Sequence, residues 1–105
     1  MGFERMKSKK INDLEVALEQ VGKKFDFLII KSISKSKERA GFNQILNSLD
    51  SLNPRTLSTR LKDLEKNKII TKNLILGTPV KTEYALTQKG KKLIPIINEI
   101  ENWAK

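Results

Sequence analysis

Arg55, Ser58, Thr59, Lys62 and Lys66 recur at spacings that place them on one side of a helix, while Leu57, Leu61 and Leu64, at i, i+4 and i+7, line the other. Thr56, Asp63 and Arg60 flank the polar side. Long cations beside short hydroxyls suit one chemistry above others. Guanidinium and ammonium groups reach phosphates and guanine edges, and hydroxyls permit close approach to a groove. Taken alone, the same face could be merely solvated. Other chemistries have little to work with. The chain has no histidine and no cysteine, so the commonest general bases and metal ligands are missing, and it has no glycine-rich phosphate loop. Its acidic residues are scattered, mostly on expected helix surfaces beside lysines. Catalysis, a metal centre and a bound cofactor are not expected.

The balance of charge points the same way as the helix. Net charge is +9 over 105 residues, which favours a polyanionic partner, nucleic acid ahead of an anionic membrane surface. The charge is uneven: Asp13, Glu15, Glu19 and Asp26 outnumber Lys23 and Lys24 between residues 11 and 30, so that section should face away from the polyanion. With 38% hydrophobic and 31% charged residues the chain should fold as one soluble domain. The longest apolar run, Phe27 to Ile30, is far too short to span a membrane. The basic start is followed by a charge-interrupted segment, unlike a signal peptide. A cytoplasmic protein is expected.

The elements that must position the polar side follow from periodicity and punctuation. Residues 1–10 read as a basic arm. Leu14, Ala17, Leu18 and Val21 mark an amphipathic helix capped by Asn12 and ended by Gly22. Phe27, Ile30 and Ile33 mark a core helix. Asn43 should cap a short helix bearing Phe42, Ile45, Leu46 and Leu49. Asp50, Ser51 and a buried Leu52 then form a tight turn, and Asn53 caps the polar helix with Pro54 at its first position and Asn67 at its end. Two helices joined this way, residues 43–67, make a helix-turn-helix. Two strands follow at 68–75 and 80–86 around the turn Leu76-Gly77-Thr78-Pro79, a β-hairpin wing at 68–86 from which Lys72, Lys81 and Thr78 could reach DNA. A last helix, 87–104, begins at Thr87 and carries Gly90 for close packing, a bend at Pro95, and the stripe Leu93, Ile96, Ile97, Ile100 and Trp103. The expected fold is α+β, mostly α: a winged helix-turn-helix over 11–105 with extra N- and C-terminal helices.

With these elements in place, the chain resembles the HxlR-type branch of winged-helix transcriptional regulators, relatives of the MarR group. The resemblance runs from about Leu14 to Trp103 and rests on four separated blocks: FNQIL, NPRTLSTRLKDLE, TEYALTQKG and LIPII with its later NW. It implies a homodimer held by the first and last helices, with Leu14, Leu18, Ile96, Ile100 and Trp103 in the interface. It further implies a recognition helix in the major groove and a wing on the flanking backbone. Two positions depart from the family pattern. Asn12, followed by Asp13, stands where many members carry a cysteine followed by proline, which some use to sense oxidants or aldehydes. Phe25 stands where tryptophan is usual.

The expected function is sequence-specific binding of double-stranded DNA by a homodimer, acting as a repressor at a pseudo-palindromic operator. Arg55 is the expected base-edge contact, with Ser58, Thr59 and Lys62 secondary, Thr56 and Arg60 on phosphates, and Asn43 and Lys81 at the flanks. A chromatin-architectural or RNA-binding winged helix, and a winged helix used for protein contact, are the alternatives. The sequence is silent on any effector ligand.

Overall fold

The computed structural model describes residues 9–37 and 39–105, so most of the expected basic arm lies outside the described residues. The elements run α1 (Lys9–Val21), α2 (Asp26–Lys35), β1 (Arg39–Gly41), α3 (Phe42–Ser48), α4 (Pro54–Lys66), β2 (Ile70–Ile75), β3 (Lys81–Leu86), α5 (Gln88–Lys91) and α6 (Leu93–Ala104).

The ambiguous run Phe27–Ile30 is helical: Ile29, Ile30 and Ile33 of α2 are all fully buried. They pack with Ile45 of α3, Leu57, Leu61 and Leu64 of α4, and Ile69 and Ile70 at the base of the hairpin. Apolar burial of this kind is the main favourable term in folding, and it needs only that each element show a continuous apolar stripe.

Two expected caps are corrected. Asn12 lies inside α1, because helical backbone already begins at Lys9. Asn43 lies in the first turn of α3: the extended residue before the helix is Gly41, the last of β1, and its N–H donates to the Gln44 side chain (3.3 Å). β1 itself was not expected. It is short, and it forms only because Ala40 finds Tyr84 opposite it on β3. Beyond α1, Gly22 packs where an added Cβ would stand 2.2 Å from the Leu18 carbonyl oxygen.

The sheet is antiparallel, in the order β1-β3-β2. β2 and β3 pair from Ile70 opposite Leu86 to Ile75 opposite Lys81. Alternation puts Ile70, Tyr84 and Leu86 into the core at the base of the hairpin, and from Thr71 outward β2 is exposed. Val80, expected to open the second strand, is exposed just before it.

Thr87 caps α5 as expected: its Oγ1 accepts from the Gly90 N–H at 3.0 Å. A Cβ on Gly90 would lie 2.2 Å from the Ile69 carbonyl oxygen, so only glycine lets α5 sit this close to the strand entry. Pro95 does more than bend the last helix. Helical structure breaks at Lys92, and Pro95 is the third residue of α6. It has no N–H for the Lys91 carbonyl, and its ring crowds that carbonyl, so the chain separates into α5 and α6. The architecture is a mostly helical winged helix-turn-helix.

Candidate nucleic-acid interface

The cationic side of α4 is held by its two ends and its buried stripe. Asn53 Oδ1 accepts from the Thr56 N–H at 2.8 Å, and Pro54 occupies the first turn, where a missing N–H costs nothing. At the other end the Asn67 N–H donates to the Asp63 carbonyl. Leu57, Leu61 and Leu64 are fully buried, and Leu52 anchors the preceding turn. Ser51 in that turn is left-handed, φ 64°, a conformation uncommon outside glycine and asparagine.

With the leucines buried, Arg55, Thr59, Lys62 and Lys66 are left exposed on α4, and Thr56 and Ser58 are half-buried at its edges. Thr59 has less freedom than its residue type implies. Its Oγ1 donates to the Arg55 carbonyl one turn back (3.1 Å), which leaves the hydroxyl chiefly an acceptor.

Arg60 corrects an expectation. It was expected on phosphates, but it is 8% exposed and its guanidinium faces inward. Nε donates to Asp26 Oδ1 at 2.8 Å and Nη2 to Asp26 Oδ2 at 3.3 Å. Nη1 donates to Asp63 Oδ2 at 2.6 Å. Burial alone would lower the arginine's pKa, but the hydrogen bonds and charge of Asp26, then of Asp63, outweigh it and hold the group above its ordinary value. Arg60 is thus no phosphate contact. The signal was present in the spacing: at 100° per residue Arg60 stands only about 40° around the helix from Leu64, on the edge of the apolar stripe. Its fully buried partner Asp26 was not expected, because nothing local links positions 34 apart.

Asn43 is exposed on the first turn of α3, and Lys72 and Lys81 are exposed on the hairpin. The wing differs from a simple cationic finger. Leu74, Ile75, Leu76 and Val80 are all exposed, Leu76 by 84%, so the outer half of the hairpin is apolar between its two lysines.

Of the residues expected at a dimer interface, Leu14 and Leu18 are exposed on α1, and Ile96, Ile100 and Trp103 on α6, Trp103 by 85%. Within the same stripe Ile97 is buried against the core. Lys89 Nζ donates to Gln20 Oε1 at 2.6 Å and to the Asn67 carbonyl at 3.2 Å, tying α5 to α1 and to the end of α4. Among the described residues no group of three histidine, cysteine, aspartate or glutamate residues is placed to hold a metal ion, and no helix is long and apolar enough to cross a membrane.

Known proteins share this arrangement. Residues 20–105 match the HxlR-like helix-turn-helix family. The uncharacterized HTH-type transcriptional regulator YvaP of Bacillus subtilis (strain 168) is 40% identical over 90 residues, which are 86% of this chain and 82% of that protein. The HTH-type transcriptional regulator YodB of the same organism is 34% identical over 91 residues, 87% of this chain and 80% of that protein. In three dimensions the chain is similar to the reduced form of YodB, with a TM-score of 0.75 and 33% identity over 88% of each chain. It is also similar to the redox regulator HypR in its oxidized form, with a TM-score of 0.76 and 28% identity over 87% of this chain and 92% of that one. The chain belongs to the HxlR-like helix-turn-helix family and is a DNA-binding transcriptional regulator.

Proposed function

We propose that the protein binds a pseudo-palindromic operator as a homodimer and represses by occluding it. One observation carries this: α4 buries all three of its leucines within the chain and leaves Arg55, Thr59 and Lys62 bare on its outer side. Two such helices entering successive major grooves would stand about 34 Å apart. Arg55, near the N-terminus of α4, is the base-edge contact. Ser58, Thr59 and Lys62 are secondary contacts. Thr56, Asn43 and Lys81 lie at the flanks of the duplex, on its backbone.

The subunits join through α1 and α6. Leu14, Leu18, Ile96, Ile100 and Trp103 supply the apolar surface, which the single chain leaves to solvent. A regulator of this kind acts in the cytoplasm, and no catalytic step is assigned to it. HypR is described as a redox regulator, but this chain has no cysteine, so its response, whatever the signal, does not run through a thiol.

Selection of bound duplexes from random-sequence DNA tests the reading. A defined, two-fold symmetric motif supports it, and an unstructured pool overturns it. On the selected duplex, Arg55→Ala should lose about 1–3 kcal/mol of discrimination, with a smaller loss on unrelated DNA. An equal loss on both would remove Arg55 from base readout.

A further inference from the structure

Among the described residues the buried charged side chains are Asp26 and Arg60, and they join the first turn of α2 to the middle of α4. We propose that Asp26 is a positioning residue for DNA readout: through its two-pronged hydrogen bond to Arg60 it fixes the roll of α4 about its own axis, and so the place where Arg55 and Lys62 meet the groove. The inference rests on the sequence-specific reading above.

Apolar packing positions α4, and the fork adds a directional constraint about its axis. Leu57, Leu61 and Leu64 hold the helix against the core, but apolar attraction is itself non-directional. A carboxylate–guanidinium fork is directional, because two parallel hydrogen bonds must both be kept. Here the fork uses Nε and Nη2 against the two oxygens of Asp26. The carboxylate is itself held from behind, since its Oδ2 also accepts from the Lys23 backbone N–H at 2.9 Å. Asp63, one turn along α4, takes the remaining arm of Arg60 at 2.6 Å. No buried side-chain polar atom in the described residues lacks a partner, so the cluster is complete.

A buried ion pair is a poor device for stability, because apolar residues of similar volume often serve as well or better. What the pair adds is a directional contact at one azimuth of the helix. A recognition surface has to be held to within roughly 0.5 Å and 10–20°. Arg60 and Arg55 stand about 140° apart around α4, so a roll that the fork prevents would swing Arg55 across the groove floor.

Three variants test this on two probes: the duplex that the wild-type protein selects from random DNA, and an unrelated duplex of equal length. Arg60→Lys keeps the charge and loses the fork. Asp26→Asn keeps the shape and loses the charge. Asp26→Leu/Arg60→Met replaces the pair with apolar volume. Circular dichroism melts identify a temperature at which each is folded. Arg60→Lys, Asp26→Asn and the double variant should each lower the ratio of selected to unrelated affinity about tenfold, the scale of one misplaced base contact, with unrelated affinity unchanged within about twofold. Selection repeated with the double variant should return a more degenerate motif. A folded Arg60→Lys, Asp26→Asn or double variant whose ratio stays within about twofold of wild type overturns the proposal. Should the double variant not fold, Arg60→Lys and Asp26→Asn decide alone. If Arg60 instead served as a phosphate contact, Arg60→Lys would keep both affinities and the double variant would lose both equally. A wild-type ratio near one would overturn the sequence-specific reading itself, a different failure from a normal wild-type ratio that the variants leave unmoved.

Discussion

The cationic helix α4 and the terminal helix α6 carry the same kind of pattern and meet different fates. Each is about three and a half turns long, each has one apolar stripe, and each makes an ion pair with α2. In α4 the stripe is buried entirely, and its ion pair, Arg60 with Asp26, is buried with it. In α6 only Ile97 is buried, Leu93 and Ile94 are half-buried, and Ile96, Ile100 and Trp103 face outward. Its ion pair, Glu101 with Lys31, is exposed. Hydrophobic periodicity therefore says that a face has to be covered, but not by what. For α4 the cover is the protein's own core. For α6 a second subunit is the proposed cover.

The contrast can be broken most easily at Leu61. Truncation to alanine removes fully buried volume and should cost about 2–5 kcal/mol in urea unfolding, because the surrounding leucines and isoleucines relax only in part. A loss below about 1 kcal/mol would mean that α4 is seated less firmly than its burial implies. Trp103→Ala should barely move the unfolding midpoint of dilute protein, yet it should weaken self-association by about 2 kcal/mol, roughly thirtyfold in the dimer Kd. Sedimentation across a concentration series reads this directly, and an unchanged dimer would place the interface elsewhere.

The smallest effect belongs to Glu101. Its hydrogen bond from Lys31 holds its carboxyl below the ordinary carboxylate value. A lowered folded-state pKa contributes stability above the unfolded value and loses it as pH falls through the folded one. Glu101 is exposed, so solvent screens the pair, and the stability difference between Glu101→Gln and wild type should be slight at neutral pH. It should vanish as the medium becomes acidic. A difference that grows on acidification would show that Glu101 acts through something other than its charge.

How far the sequence could be read follows from the range of each interaction. Asn53 with Thr56, Thr87 with Gly90, and the Leu57–Leu61–Leu64 stripe are relations within a few residues, and each was legible. Asn43 was misread as a cap because β1, three residues long, supplies Gly41 as the helix entry, and β1 exists only through its pairing with β3. Leu74 and Ile75 fall on an expected strand, yet both are exposed. The hairpin outruns the core it rises from, and the end of a core cannot be read from alternation along one strand.

By itself, then, the sequence determined the order of the longer helices and of the two hairpin strands, the caps of α4 and α5, and the division of α4 into an apolar and a cationic side, since these depend on backbone hydrogen bonding and on spacing along the chain. Spacing set Arg60 at the edge of the apolar stripe, but tertiary structure decided that it turns inward while Arg55 stays out. Both are arginines on one helix, and their difference is made by a carboxylate 34 residues before Arg60, which packing brings within hydrogen-bonding distance. A guanidinium goes where its hydrogen bonds are best satisfied, and that place exists only once α2 and α4 are side by side.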